Sequence, residues 1–269
     1  MTDRAFIKLN AFGPGGAGLT RRPPYPREGL ETEPPVHSSH LYVDDEEQGI
    51  KIGVWECTPH TSKMGPFPVN EFMIILEGSV TMLERDGETT TVQAGEAFVV
   101  PKGVVCQWKQ SEPVRKYFAI QSDPPNRTRP SVGQPQSVTR APSSAATRRA
   151  GQSTGSQADL PFRAGETIYN DAGRGYLLGT WGALAEGGRP TVSRFYQMLR
   201  VDAGVLTLAD EDGATETFGA GDTVLITPGD PITWSGSDDL RMLACSIKDD
   251  KATAHHGQGD CISEGCDEA

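Results

Sequence analysis

The chain has 269 residues, enough for roughly two domains at the usual ~150 residues each. Its 31 glycines and 20 prolines exceed ordinary usage, which argues against a helical bundle or coiled coil and for many short elements joined by tight turns. A formal charge of −11, from 25 basic and 36 acidic residues, argues against a broad surface for nucleic acid or anionic membrane.

The longest aliphatic or aromatic run, Phe72-Met73-Ile74-Ile75-Leu76, is far short of the ~20 residues that span a bilayer. Asp3 and Arg4, followed by Gly- and Pro-rich sequence, leave no apolar stretch of the kind found in a signal peptide. Five scattered cysteines do not make a disulfide framework. A cytoplasmic protein with neither nucleic acid nor membrane as partner is expected.

Residues 1–35 read as a loose N-terminal arm. Its Gly13-Pro14-Gly15-Gly16-Ala17-Gly18 stretch matches a phosphate loop in composition only, since the Lys-Ser/Thr ending is missing. Residues 36–122 read as a first all-β domain. Within it, Asp86-Gly87 between Gly78 to Arg85 and Glu88 to Val92 predicts a hairpin of the type I′ kind. Strands are then predicted over Ala97 to Val100, Val104 to Lys109 and Arg115 to Gln121, with Pro101-Lys102-Gly103 as a turn.

Residues 123–157 are rich in Pro, Ser, Thr and Arg and poor in large apolar side chains, so a flexible linker is predicted. Residues 158–250 form a second domain, with strands over Val205 to Leu208, Thr215 to Phe218, Thr223 to Ile226 and Arg241 to Ser246. Residues 251–269 read as a flexible tail. Its His255, His256, Cys261 and Cys266 do not have the spacing of a common zinc site.

The two domains are copies of one another. A constant offset of 126 residues separates Trp55 from Trp181 and Trp108 from Trp234, which together are all four tryptophans. The same offset carries Gly53 to Gly179, Gly78 to Gly204, Asp86-Gly87 to Asp212-Gly213, Gly103 to Gly229 and Arg115 to Arg241. A period this long means duplicated domains rather than a solenoid of small units. Many short strands at regular spacing imply sandwiches or barrels.

Gly95-x5-Pro101-x-Gly103, preceded by Glu71-x6-Gly78, resembles the two motifs of the cupins. Trp55-Glu56-Cys57-Thr58-Pro59 and the Ile75-Leu76-Glu77-Gly78 turn resemble the branch containing ureidoglycine aminohydrolase-like and ethanolamine-utilisation-like proteins. The resemblance implies an all-β bicupin: two tandem double-stranded β-helix (jelly-roll) barrels joined by a flexible linker, with homodimerisation through barrel edges. It also implies a metal site, whose ligands are two histidines and a glutamate from the first motif and a histidine from the second. Glu71 keeps the carboxylate position, but the first histidine positions fall near Met64 to Phe67. His60 lies too early, and Cys106 stands at the second-motif histidine, with Gln110 where an Asn often follows. In the second copy Gln197 and Ile232 replace the glutamate and the histidine. No metal and no other cofactor are therefore expected; a divalent ion at Glu71 is the alternative.

Alternate residues of a strand share a face, so Glu71, Met73 and Ile75 should point together, as should Trp55 with Cys57 and Cys106 with Trp108 and Gln110. Such a lumen makes Glu71 and Cys106 the candidate catalytic residues, and Trp55, Cys57, Met73, Trp108 and Gln110 ligand contacts. Two accounts of Glu71 are open: a protonatable acid–base group, or a carboxylate satisfied by backbone amides or a nearby lysine or arginine. The two cysteines are either inert buried thiols or nucleophiles. Trp181, Gln197 and Trp234 line the second lumen, either as a structural copy or as a binding site without chemistry.

Three functions compete. The first is a metal-free receptor for a small polar metabolite. The second is an aminohydrolase, isomerase or lyase that uses Glu71 for proton transfer. The third is a scaffold whose basic linker docks a partner.

Overall fold

A computed structural model describes residues 4–125, 128, 137–142, 161–184 and 190–251. Two three-residue 3-10 turns, Pro14–Gly16 and Arg27–Gly29, are the only helical geometry among them, and all strand pairing is antiparallel. No helix of the described residues is long and apolar enough to cross a membrane.

The strands make two jelly-roll barrels, each of one large and one small sheet. The first large sheet has the order Thr139–Arg140, Ala97–Val100, Asn70–Glu77, Val114–Gln121, Ile50–Cys57, His37–Asp45, Thr20–Arg21. Its small sheet runs His60–Thr61, Val105–Gln110, Ser79–Glu84, Thr89–Gln93, with Gly65–Pro66 also on Val105–Gln110. The second large sheet runs Phe6–Lys8, Thr223–Ile226, Phe195–Ala203, Arg241–Lys248, Tyr176–Leu184, Phe162–Asp171. Its small sheet runs Pro190–Val192, Pro231–Gly236, Val205–Ala209, Thr215–Gly219.

The 126-residue offset read from the tryptophans carries Ala97–Val100 onto Thr223–Ile226 and Val105–Gln110 onto Pro231–Gly236. Gly53 and Gly179 keep the register for a steric reason. A Cβ at Gly53 would lie 2.3 Å from the His40 carbonyl oxygen, and one at Gly179 would lie 3.0 Å from that of Glu166. Each faces a strand whose pairing register shifts close to the contact.

The Asp-Gly hairpins form, but not with the type I′ turn. No non-glycine residue among those described has positive φ, whereas Gly87 has φ 93° and Gly213 has φ 81°. Gly87 N donates to Glu84 O at 3.0 Å and Glu84 N to Glu88 O at 2.8 Å, which closes a three-residue loop. This is a type I turn followed by one left-handed glycine, so Asp86 keeps an ordinary φ.

The terminal and linker segments do more than connect. Phe6–Lys8, within the expected loose arm, adds an edge strand to the second barrel, where Phe6 is 4 % exposed and meets Phe218 edge-on at 6.3 Å. Thr139–Arg140, within the expected linker, caps Ala97–Val100 in the same way, and Val138 is buried in the first core. Each stretch supplies a large apolar residue and backbone donors to an otherwise open edge, which offsets the entropy of ordering a short segment. Residues 126, 127, 129–136 and 143–157 of the linker, and the tail with His255, His256, Cys261 and Cys266, lie outside the described residues.

The two large sheets pack outer face to outer face. Ile50, Ile52, Val54, Phe72, Ile74 and Val99 of the first join Tyr176, Leu178, Met198, Leu225 and Leu243 of the second in one core. Met73, Ile75, Phe98 and Val100 point the other way, into the first barrel. The run Phe72 to Leu76 is continuously apolar because its strand is buried on both faces.

Polar contacts around this seam obey a pseudo-two-fold. Arg174 binds Asp123 at 2.6 Å and its counterpart Gln48 binds Asp249 at 2.6 Å. Asn70 meets Asp171 at 3.1 Å, and the counterpart pair is Tyr196 and Asp45 at 3.5 Å. Truncating the N-terminal anchor, Phe6→Ala, should destabilise the second barrel by about 3–5 kcal/mol, read as a lower urea midpoint. An unchanged midpoint would show that this strand is not part of the folded unit.

Candidate functional site

The first barrel encloses a cavity of about 660 Å³. Its wall is assembled mainly from four strands, with the short strands His60–Thr61 and Gly65–Pro66 and the N-terminal arm completing it. Trp55 comes from Ile50–Cys57, Glu71 from Asn70–Glu77, Cys106 and Trp108 from Val105–Gln110, and Lys116 and Phe118 from Val114–Gln121. Period-2 alternation puts these side chains inward, and Tyr25 and Leu30 of the arm close one side.

Glu71 is not alone in this space. Lys116 Nζ donates to Glu71 Oε1 at 2.8 Å, and the two side chains are only 8 % and 9 % exposed. The same ammonium lies 2.9 Å from Met73 Sδ, 4.8 Å from the Trp55 ring and 4.7 Å from the Trp108 ring. The two indoles stand edge to face at 6.1 Å. Desolvation of both charges is costly, and the ion pair, the thioether and the two π faces together compensate it. Of the two accounts open for Glu71, the carboxylate satisfied by a lysine describes the resting arrangement.

Around this centre, Trp55 Nε1 donates to Tyr25 OH at 3.1 Å, and Tyr25 stacks on His37 at 4.1 Å. Trp108 Nε1 donates to Gln110 Oε1 at 2.7 Å, while Gln110 Nε2 binds the carbonyls of Cys57 and Thr58. The indoles are thereby locked in orientation, which leaves their faces to the cavity and the lysine.

Of the residues chosen from sequence, Trp55, Glu71, Cys106 and Trp108 reach the cavity together. Met73, Cys57 and Gln110 lie on the expected inward faces and contact the wall residues without lining the cavity themselves. Trp181, Gln197 and Trp234 belong to the interior of the other barrel. There Gln197 is fully buried with neither amide atom hydrogen-bonded within the protein, Trp234 Nε1 donates to Thr191 at 2.7 Å, and Met242 stands at the position of Lys116.

Sequence reasoning missed Lys116, although a lysine spaced two residues from Val114 and from Phe118 on an alternating strand was a legible signal. It also missed Tyr25, for which no local pattern existed.

The donor set does not suit a transition ion. The surviving carboxylate is paired to an ammonium, and Met64, Gly65, Pro66 and Phe67 occupy the stretch expected to carry two histidines. Among the described residues no three His, Cys, Asp or Glu side chains converge as metal ligands.

Residues 45–118 match the model of the EutQ-like cupin domain. No curated protein matches the chain. Among solved structures, it resembles a protein of unknown function from Pseudomonas syringae pv. tomato, with 20 % identity, TM-score 0.64, and coverage of 90 % of this chain and 99 % of that one. It also resembles a cupin 2 conserved barrel domain protein from Leptotrichia buccalis (8 % identity, TM-score 0.54, 79 % and 89 % covered). Protein Ylba from E. coli is similar at 11 % identity and TM-score 0.53, with 91 % and 92 % covered. At these identities the likeness establishes the cupin barrel fold and nothing about chemistry.

Protonation states follow from burial. Burial pushes the Cys57 thiol up to about 12, against the pull of the Lys116 charge, and the Cys106 thiol up to about 11, reinforced by Glu84. Burial likewise holds the His60 imidazole, stacked at 6.3 Å on Trp108, below its ordinary value, which favours the neutral ring. Cys106, the candidate nucleophile, is a neutral wall group: at pH 8 its thiolate fraction is on the order of one in a thousand. Mass-mapped alkylation by iodoacetamide at pH 8 should therefore label Cys57 and Cys106 at least about ten-fold more slowly in the folded protein than in urea. Equal rates would show that the thiols are not held neutral.

Proposed function

We propose that the first barrel is a receptor for a small flat molecule that it holds without a transition-metal ion, and that the chain is a bicupin in which one barrel carries the ligand. The Glu71–Lys116 pair, exposed to an aromatic cavity of about 660 Å³, carries this reading. A volume of this size suits a metabolite of moderate mass, since small-molecule pockets run to roughly 300–1,000 Å³. The wall is more apolar than a receptor for a wholly polar metabolite requires: Trp55, Trp108, Phe67, Phe118 and Ile120 face it. The ligand class that fits is a planar, largely apolar body for the indole faces, ending in an acidic or carbonyl group for the ammonium.

Lys63 at the mouth adds a second positive charge, so lysines outnumber the single carboxylate around the cavity and favour a ligand anion. The equivalent lumen of the second barrel is filled by Leu199, Leu206, Phe218, Ile232 and Trp234, and its role in this reading is to brace the first barrel across the shared core.

Titrating benzoate and phenylacetate while following tryptophan fluorescence tests the reading, because both indoles line the cavity. The expected result is saturable quenching that weakens at least about ten-fold in Lys116→Met, with benzyl alcohol binding more weakly than benzoate. Quenching that is indifferent to ligand charge and to Lys116 would remove the anion receptor. In a parallel thermal-shift series, strong stabilisation by manganese, nickel or iron salts would overturn the metal-free part.

A further inference from the structure

The fold does not need the charged pair. In the second barrel, Gln197 and Met242 occupy the positions of Glu71 and Lys116, both with no exposure. The strands around them pair in the corresponding order, Phe195–Ala203 lying between Thr223–Ile226 and Arg241–Lys248. A buried ion pair is a weak source of stability, and here a neutral pair supports the same sheet. The charges of the first barrel therefore point to chemistry at the cavity.

We propose that Glu71 and Lys116 act as one proton-transfer pair on a carbon acid beside a carbonyl, the carboxylate taking the proton and the ammonium holding the oxygen on which charge develops. This rests on the receptor reading above and adds a reaction and a substrate class to it: ketones or 2-oxo acids with a flat apolar body and an acidic α C–H.

The geometry supplies both partners. An ammonium has three N–H donors. Glu71 Oε1 takes one at 2.8 Å and Met73 Sδ lies 2.9 Å away, which leaves a third for a substrate oxygen beside the indoles.

In the step, the α C–H bond breaks and its proton passes to the Glu71 carboxylate. The released electron pair becomes the C=C bond, and the carbonyl π pair moves onto oxygen. Negative charge thus leaves Glu71 and appears on the enolate oxygen beside the same ammonium. The net charge of the cavity is unchanged and the cation need not move, which is the condition for electrostatic stabilisation without reorganisation. Return of the proton to carbon, or delivery to oxygen, gives the racemised ketone or the enol, with no oxidant, reductant or second substrate consumed.

Phenylpyruvate is the probe, with deuterium exchange at its C3 followed by proton NMR and binding followed by tryptophan quenching. The wild type should exchange at least ~100-fold faster than buffer, the scale of general acid–base catalysis. Glu71→Gln and Lys116→Met, which borrow the residues of the second barrel, should each fall to within about ten-fold of buffer. Glu71→Asp, which keeps the base one methylene further back, should give an intermediate rate and serves if either of the others misfolds by circular dichroism. Quenching of the wild type with exchange at the buffer rate, or full exchange in Glu71→Gln, overturns the proton-transfer pair and leaves the receptor standing. Absence of any quenching removes both.

Discussion

The packing of one large sheet against the other, outer face to outer face, is the constraint around which the chain is organised. It buries Phe72 and Ile74 against Met198 and Leu225, so the strand that carries Glu71 is held from behind while Met73 and Ile75 face the lumen. A strand clamped on both faces has little freedom to shift, and a one-residue slip would expel every lumen side chain to the other side. The large-sheet part of the cavity wall is therefore backed by the seam, and the seam is locked by Arg174 with Asp123 and by Gln48 with Asp249 on either side of the pseudo-two-fold.

Symmetry of backbone does not extend to chemistry. Glu71 and Lys116 of one barrel correspond to Gln197 and Met242 of the other, and Ile120 corresponds to Ser246. The substitutions are correlated: removing a buried charge without its partner would strand the other in a low-dielectric interior, so both are present or both are absent. The side-chain polar atoms of Gln197 and Ser246 nevertheless lie buried without protein hydrogen-bond partners, so the second lumen keeps polar groups that packing alone does not require.

The first cavity combines elements that seldom suit a core. Its indole NH groups are tied off at Tyr25 and Gln110, its thiols are held neutral by burial, and its ammonium is suspended among a carboxylate, a thioether and two π faces. Nearly every polar requirement is met locally while the lysine keeps a donor for an incoming group. In the proposed receptor, that balance gives a preorganised wall that costs little to hold, with one strong polar contact left to make.

Two features of the chain were readable from residues alone. The constant offset between the tryptophan pairs announced the duplication, and period-2 alternation placed Trp55, Glu71, Cys106 and Trp108 on inward faces. The first is written in the residue types themselves, and the second is a property of local backbone geometry, which neighbouring residues determine among themselves. The Asp-Gly hairpins were legible as hairpins but not in their turn type, because a type I turn with a following glycine uses the same dipeptide as type I′.

What folding alone decided is which distant groups meet. Lys116 and Glu71 are 45 positions apart, Tyr25 reaches Trp55 across 30, and Phe6 crosses to a strand near the far end of the chain. Alternation marks the face that Lys116 occupies, but no spacing in the chain names its partner, since such contacts depend on how completed sheets stack and which edges stay open. The ion pair that defines the site arises only when two antiparallel neighbours place a carboxylate and an ammonium on one face of a sheet whose other face is already buried.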